Sequence, residues 1–213
     1  MKITLPDNSS RELPEGSSGY DLAKDIGPGL AKSAVAVSVD GVQRDLHDVI
    51  EGDASVSIIT IDSDQGIEIM RHTLTAQVLA RAIKNLYPKS KLAIGPTIDD
   101  GFYYDVESEK SISSDDLSKI EDEMKKIIKT KSSITKKLVS KSEALKVFKE
   151  NKESYKEIIV NESKQKDNFQ LYYQDDKKFV DLCRGPHLPN LEFIGSFKLT
   201  KVSGAYWKGD SAN

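Results

Sequence analysis

The first 60 residues carry short apolar runs of period two, a pattern that predicts β-strands rather than long helices. The predicted strands are residues 2–5, 11–13, 34–39 and 55–60. Ser18 is a candidate N-cap for a short helix over residues 20–25. The string Gly27-Pro28-Gly29 is expected to stop that helix, because proline lacks a backbone donor and glycine tolerates positive φ. This region therefore predicts a mixed sheet with one helix packed on it.

A polar stretch, residues 61–66, precedes a long amphipathic helix that we predict over residues 69–86. The apolar side chains of this helix recur at steps of three and four residues, which places them on one face. They are Leu74, Val78, Leu79, Ala82, Ile83 and Leu86. Pro88 ends the helix. We place a domain boundary in the polar stretch, which gives domains of residues 1–62 and 63–213.

The remainder of the chain predicts further strands and two charged helices. The strands are residues 91–94, 102–106, 169–173, 179–182 and 197–202. Ser113 with Asp116, and Ser140 with Glu143, form capping boxes that open the two helices. The fold class is therefore α+β, and the second domain is expected to wrap a largely antiparallel sheet around the long helix.

Composition narrows the class of protein. The chain has 213 residues, a formal net charge of −3, 38% hydrophobic and 31% charged residues, so a folded protein is expected. The single cysteine excludes an internal disulfide and a zinc site built on several cysteines. No apolar run approaches the roughly 20 residues that span a bilayer, and residues 1–7 show no signal peptide. We therefore expect a cytoplasmic protein without a membrane partner.

The sharpest chemical signal is the string Cys183-Arg184-Gly185-Pro186-His187, which follows a predicted strand. These residue types suit ester chemistry, because an imidazole can move a proton or orient water and a guanidinium can bind phosphate. A lone Cys-x-x-x-His is a weak motif, and a buried cysteine beside a turn histidine is the alternative interpretation. His72 is expected in the first turn of the long helix, and the Cys183–His187 pair is its only candidate partner.

Other polar residues have a functional and a purely structural interpretation. Asp99, Asp100 and Tyr104 belong to a stretch that offers paired carboxylates for acid–base work, or simply a hairpin turn with aromatic flanks. Lys156 is one of many lysines, and an exposed side chain is its ordinary interpretation. His47 has no partner at motif spacing, so a surface or packing role is expected.

Several long strings together resemble the amino-terminal half of bacterial threonyl-tRNA synthetases. They are residues 3–7, 25–32, 93–96, 101–105, 153–156, 181–187 and 204–211. The resemblance covers essentially the whole chain. It implies a TGS domain with a β-grasp, ubiquitin-like fold, followed by an editing domain. In this family the editing domain hydrolyses seryl-tRNA(Thr), since the one methyl group that separates serine from threonine is worth only about 1–3 kcal/mol in a pocket.

The resemblance also implies roles for individual residues. Lys156 is expected to contact the aminoacyl group, and Asp181 to hold a donor in place. Cys183 and His187 are expected to orient water or the terminal ribose, and Cys183 is not expected to be a covalent nucleophile. His72 completes the expected catalytic set. The expected substrate-binding residues are Gln77, Asp100, Tyr104 and Arg184.

The start of the long helix departs from the family pattern, which is His-x-x-x-His with both imidazoles on one face. Here Ala76 stands four residues after His72, and Gln77 stands five residues after it. In a continuous α-helix five residues turn through about 500°, so His72 and Gln77 would lie about 140° apart around the axis and could not share a face. Aligned backwards from Pro88, the two histidine positions become Thr73 and Gln77. Gln77 can hydrogen-bond but cannot act as a base near neutral pH.

The same departure bears on cofactors. Related editing domains for alanine bind zinc through His-x-x-x-His and Cys-x-x-x-His, and this chain keeps only the second pair, Cys183 and His187. We therefore predict no metal and no cofactor. The resemblance implies that a class II catalytic domain and an anticodon-binding domain lie outside this chain, and that ATP, magnesium and zinc belong to the full-length enzyme. The expected partner is the acceptor end of tRNA(Thr), with the fragment a monomer and the full-length enzyme a homodimer.

Three functional hypotheses follow. The leading one is an editing fragment of a threonine–tRNA ligase that hydrolyses seryl-tRNA(Thr). The second is a degenerate editing domain that binds the tRNA acceptor end with little or no hydrolysis. The third assigns the function to the TGS-like domain as a regulatory or ribosome-associated element, and the extensive match of the second domain disfavours it.

Overall fold

The computed structural model describes residues 1–174 and 179–205, and its first 60 residues form one mixed sheet with two helices. The elements are β1 (Lys2–Thr4), β2 (Ser10–Glu12), α1 (Gly19–Ile26), α2 (Pro28–Ser33), β3 (Ala34–Val39), β4 (Val42–Asp45) and β5 (Ala54–Thr60). The strand order is β2-β1-β5-β3-β4. Strands β1 and β5 are parallel, and the other neighbours are antiparallel.

Local capping explains where the first helix begins and ends. Ser18 and Asp21 form a reciprocal capping box, in which the Ser18 hydroxyl accepts from the Asp21 N–H and the Asp21 carboxylate accepts from the Ser18 N–H. The predicted stop at Gly27 is correct. However, Pro28 opens α2 rather than ending helical structure, because the first position of a helix needs no donor. Gly19 lies so close to the sheet that a Cβ there would come within 2.7 Å of Val37 Cβ.

The long helix begins at Asp64, five residues before its predicted start. It consists of α3 (Asp64–Thr73), a π-helical segment (Leu74–Leu79) and α4 (Ala80–Leu86). The hydroxyl of Ser63 caps it by accepting from the N–H of Gly66 at 3.0 Å, so half of the stretch predicted as a loop is helical. As a consequence His72 lies in the last turn of α3, and its predicted place in a first turn was wrong.

The π-helical segment is the main departure from the predicted continuous helix. Its signature is the bond from the N–H of Ala80 to the carbonyl of Thr75, which spans five residues instead of four. All six residues of the segment are buried. A single π turn inside an α-helix accommodates one extra residue, and such bulges are frequent at functional sites.

In the described residues of its second half, the chain combines short strands with three more α-helices. They are β6 (Lys91–Leu92), β7 (Thr97–Ile98), β8 (Gly101–Phe102), β9 (Val106–Glu107), α5 (Leu117–Lys129), β10 (Ile134–Val139), α6 (Lys141–Glu150), α7 (Ser154–Glu162), β11 (Phe169–Gln174) and β12 (Val180–Leu182). Single-turn 3₁₀ helices occur at Ser114–Asp116 and Leu191–Phe193. The capping boxes at Ser113 and Ser140 are present as predicted.

Among the residues that the structure describes, the strands of this half form three separate antiparallel sheets rather than one. The sheets are β10-β11-β12, β6-β9 and β7-β8. Strand β10 and helix α7 had no predicted counterpart. The strand predicted over residues 197–202 is wrong, because this segment is irregular and Leu199 donates its N–H to the carboxylate of Glu121 at 2.8 Å instead of to a strand.

One hydrophobic core runs across the predicted boundary near residue 62. It contains Val35 and Ile59 of the first sheet together with side chains of the long helix, α5 and β11. Glu121 is buried at the edge of this core. In the part of the chain that the structure describes, no helix is long and apolar enough to cross a membrane.

Candidate active site

Three side chains from distant parts of the chain meet where α3 ends. Nε2 of His72 lies 2.8 Å from Sγ of Cys183, which follows β12. The imidazoles of His72 and His187 are stacked, with ring centroids 4.6 Å apart and planes inclined by 2°. The sequence proposed His72, Cys183 and His187 as partners, and the structure brings them into direct contact.

Thr73 fixes which nitrogen of His187 carries the proton. Its hydroxyl donates to the carbonyl of Ile69 at 2.9 Å, which uses its only hydrogen. Its oxygen also lies 3.0 Å from the N–H of Leu188 and 3.1 Å from Nδ1 of His187, so both of these groups must donate to it. The neutral imidazole of His187 therefore carries its hydrogen on Nδ1, and Nε2 presents a lone pair.

The environment of this nitrogen is unusual for a polar atom. Nε2 of His187 is buried and has no hydrogen-bond partner among the residues that the structure describes. A buried acceptor without a partner costs free energy, so natural proteins keep such groups mainly where a ligand or water uses them. Here the acceptor can hold the proton of a water molecule or of a substrate hydroxyl.

Burial makes the three clustered groups neutral. It lowers the pKa of His187 well below its usual value, and the neighbouring His72 lowers it further. Burial also lowers the pKa of His72, against the opposing effect of Asp181, Glu68 and Asp45. The same cause raises the pKa of the Cys183 thiol to about 12, so the thiol stays protonated at neutral pH.

A buried ion pair adjoins the neutral cluster. Nζ of Lys156 lies 2.6 Å from Oδ1 of Asp181, and the two side chains are only 4% and 2% exposed. The hydroxyl of Tyr104 donates to Oδ2 of Asp181 at 3.1 Å, and the N–H of Leu182 donates to Oδ1 at 2.7 Å. Lys156 belongs to α7 and is buried there. Its interpretation as an ordinary exposed lysine was therefore wrong, whereas the resemblance had placed it in the site.

The strands β11 and β12 join the ion pair to the histidines. Tyr172 is directly opposite Asp181 in the antiparallel register, so both side chains are on the same face of the sheet. The ring of Tyr172 packs edge-on against His187, with centroids 4.5 Å apart. Gly95 allows Tyr104 to approach, because a Cβ there would come within 2.2 Å of its ring. Sequence analysis missed Thr73 and Tyr172 as site residues.

Gln77 is buried within the π-helical segment and contacts β11. Its backbone carbonyl accepts from Nε2 of Gln174 at 2.7 Å, and its side-chain oxygen lies 3.4 Å from the same nitrogen. His72 instead contacts Cys183, which follows β12. The π-helical segment interrupts the continuous α-helix from which the separation of about 140° was calculated, so that angle does not apply here. Nε2 of Gln77 is buried and has no partner among the described residues.

Two predicted substrate-binding residues lie outside this cluster. Asp100 and Arg184 are both exposed, and Arg184 directly follows Cys183 in the chain. The carbonyl of Asp99 accepts from the guanidinium of Arg71 at 2.8 Å, which ties the β7–β8 turn to the end of α3. His47 is exposed and packs its ring against Tyr20, in keeping with the packing role expected for it.

The cluster also offers three ligand atoms for a metal. His72, Cys183 and His187 each contribute one such atom, and these atoms lie within 4.8 Å of one another. The sequence motif offered only Cys183 and His187 as a zinc-binding pair, so the structure raises the number of candidate ligands to three. The donor set fits zinc, but binding requires the loss of the thiol proton from a group whose pKa burial has raised to about 12. The absence of a metal remains a prediction.

Comparisons with known proteins cover the whole chain. The family model of the TGS domain matches residues 1–60, and that of the threonyl and alanyl tRNA synthetase second additional domain matches residues 170–213. The threonine–tRNA ligase of Paracidovorax citrulli (strain AAC00-1) is 46% identical over 213 residues, which are 100% of this chain and 33% of that protein. The threonine–tRNA ligase of Hahella chejuensis (strain KCTC 2396) is 46% identical over 211 residues, 99% of this chain and 33% of that protein.

This chain therefore spans about one third of the length of these two relatives. The carboxyl-terminal part of the second match, residues 206–213, lies outside the described residues, and so does most of the string at 204–211.

Proposed function

We propose that this chain hydrolyses the aminoacyl ester of seryl-tRNA(Thr). The proposal follows from its correspondence to the amino-terminal TGS and second additional domains of threonine–tRNA ligases. The observation that carries the proposal is the free lone pair on Nε2 of His187, buried beside the Lys156–Asp181 pair. An ester hydrolase without a protein nucleophile needs a group of this kind to hold its attacking water.

The reaction is a single displacement by water. The water oxygen forms a bond to the ester carbonyl carbon, the carbonyl becomes an oxyanion, and the bond to the ribose oxygen then breaks. The water supplies one proton to the departing ribose hydroxyl, which leaves serine and intact tRNA. Because the Cys183 thiol is protonated at neutral pH, it does not compete as a nucleophile.

In this mechanism the side chains orient and stabilise rather than abstract protons. The low pKa of His187 makes it a weak base, so its contribution is to hold water in line with the carbonyl. The ammonium of Lys156 keeps donors available after its bond to Asp181, and these can stabilise the developing oxyanion. Asp181 in turn fixes both Lys156 and the hydroxyl of Tyr104.

A second candidate function is binding of the tRNA acceptor end with little hydrolysis. Two observations favour it. Both imidazoles have lowered pKa values and are therefore weak bases. In addition, Gln77 supplies an amide in place of a further base. Both candidates imply tRNA(Thr) as the partner.

Deacylation separates the two functions. Seryl-tRNA(Thr) is incubated with the protein, and threonyl-tRNA(Thr) serves as the matched control substrate. Editing predicts release of serine and little release of threonine. No release above the spontaneous rate, combined with saturable binding of a non-hydrolysable seryl-adenosine analogue, would support the binding function instead.

A further inference from the structure

A carboxylate of the first domain reaches the site in the second. Asp45 is the last residue of β4, and its Oδ1 accepts from the backbone N–H of His187 at 2.8 Å. Its Oδ2 accepts from the hydroxyl of Tyr172 at 2.8 Å. Nζ of Lys136 lies 2.8 Å from the same Oδ2 and neutralises the charge. The side chain of Asp45 is 15% exposed, so these bonds are largely shielded from water.

Asp45 supports His187 through two bonds, one direct and one through Tyr172. One fixes the backbone from which the imidazole projects. The other fixes the hydroxyl of Tyr172, whose ring packs edge-on against that imidazole at a centroid distance of 4.5 Å. A third contact is the hydrogen bond between Nδ1 of His187 and the hydroxyl oxygen of Thr73. Bonds to an ionised acceptor are roughly twice as strong as neutral ones, so Asp45 is well suited to hold this geometry.

The turn before His187 is shaped around the same hydroxyl. Gly185 has a φ of +63°, and a Cβ there would come within 2.0 Å of the Tyr172 oxygen. Glycine is required on both counts, because side chains rarely adopt this φ and none would fit. Asp45, Tyr172 and the Gly185 turn therefore form one connected support beneath His187.

A second acidic residue nearby lacks these hydrogen bonds. Asp48 also forms an ion pair with Lys136, but in the part of the chain that is described its carboxylate accepts no hydrogen bond from His187 or Tyr172. Attachment between the two domains is thus served by both Asp45 and Asp48. Of these two residues, only Asp45 accepts a hydrogen bond from His187.

We propose that Asp45, a residue of the TGS domain, is a positioning residue for ester hydrolysis in the second domain. It holds Tyr172 and the backbone of His187 so that Nε2 of His187 keeps the orientation in which it binds water. The inference rests on the proposed function. It gives the TGS domain a direct part in editing, through one carboxylate.

The matched variants are Asp45→Asn and Asp48→Asn. Each removes one negative charge and one partner of Lys136, but only Asp45→Asn turns an amide donor toward the N–H of His187 or the hydroxyl of Tyr172. We expect Asp45→Asn to lower kcat for seryl-tRNA(Thr) about tenfold, less than the roughly hundredfold cost of a displacement of about 1 Å, with KM unchanged within about twofold. Asp48→Asn is expected to keep both constants within about twofold.

A spectroscopic readout makes the test independent of activity. The chain has three histidines, so nitrogen NMR of histidine-labelled protein resolves each ring. Asp45→Asn should move the Nδ1 and Nε2 signals of His187, and Asp48→Asn should leave them in place. If the wild-type protein hydrolyses nothing, the proposed function fails while the NMR comparison still decides the role of Asp45.

Equal effects of the two variants on kcat and on the His187 signals would overturn the proposal. Should Asp45→Asn fail to fold, Tyr172→Phe removes only the hydroxyl, which donates to Asp45 at 2.8 Å and also lies 3.1 Å from Oε1 of Gln170. It is expected to lower kcat about threefold and to move the His187 signals, in line with the loss of one hydrogen bond. Unchanged signals and unchanged kcat in Tyr172→Phe would overturn it equally.

Discussion

The imidazole of His72 lies parallel to that of His187, with 4.6 Å between the ring centroids and an angle of 2° between their planes. Two imidazoles in this arrangement cannot both be protonated without strong repulsion. Burial lowers both pKa values, and His72 lowers the pKa of His187 further. The centre of the site is therefore uncharged at neutral pH, beside one compensated ion pair.

The protonated thiol of Cys183 predicts that this cysteine is dispensable for the bond-breaking step. Cys183→Ser preserves a hydrogen-bonding group opposite His72, so we expect deacylation of seryl-tRNA(Thr) within about fivefold of wild type. Because the pKa of the thiol is raised to about 12, alkylation by iodoacetamide at neutral pH should be much slower in the native protein than in urea. Trapping of a seryl thioester on the wild-type protein would contradict this.

The Lys156–Asp181 pair predicts a strong dependence of stability on both partners. Lys156→Met leaves a buried carboxylate without its cation, which costs about 3–5 kcal/mol in the free energy of unfolding measured with urea. The double variant Lys156→Met, Asp181→Asn should recover most of this loss. Lys131→Met is the control, because its ion pair with Glu192 is 64% and 60% exposed and should matter little. Similar losses for Lys156→Met and Lys131→Met would argue against a buried pair.

The lowered pKa of His187 predicts how stability depends on pH. The folded state keeps this ring neutral, whereas the unfolded chain binds a proton below about pH 6.5. The free energy of unfolding should therefore fall as pH decreases through that region, by up to about 1.4 kcal/mol per pH unit from this group. His187→Gln should show a shallower fall in urea titrations between about pH 7.5 and 5.5. An identical slope in the wild type and His187→Gln would count against the buried neutral imidazole.

The absence of zinc is a separate prediction. Protein purified without chelators should contain no zinc above background in elemental analysis. The structure makes this a demanding test, because His72, Cys183 and His187 could supply three ligands. One zinc per chain, lost together with activity on dialysis against a chelator, would replace the water-orienting mechanism with a metal-based one.

Local patterns made some parts of the fold predictable and left others open. The strand at residues 34–39, the N-cap at Ser18 and the capping boxes at Ser113 and Ser140 depend on neighbouring residues, and the structure contains all of them. The π-helical segment could not be foreseen from periodicity. Its one-residue excess is accommodated by tertiary packing, and the apolar positions of the helix are compatible with either form.

The candidate site divides in the same way. The residue types alone singled out His72, Cys183 and His187. Lys156 and Asp181 were found because a resemblance supplied them, since local pattern assigned Lys156 to the surface. Thr73 and Tyr172 carry no motif, and their roles arise from contacts over more than 90 residues of sequence. One signal did point to Thr73: aligned backwards from Pro88, it falls on the first histidine position of the family pattern.

We propose that His187 holds the water that cleaves the seryl ester. The most direct test is the single-turnover rate of seryl-tRNA(Thr) deacylation by the wild-type protein, by His187→Gln and by the double variant Lys156→Ala, His187→Ala. We predict serine release by the wild type, a loss of about a hundredfold in His187→Gln, and no release above background in the double variant. A wild-type rate retained by His187→Gln, with folding verified, would contradict the account.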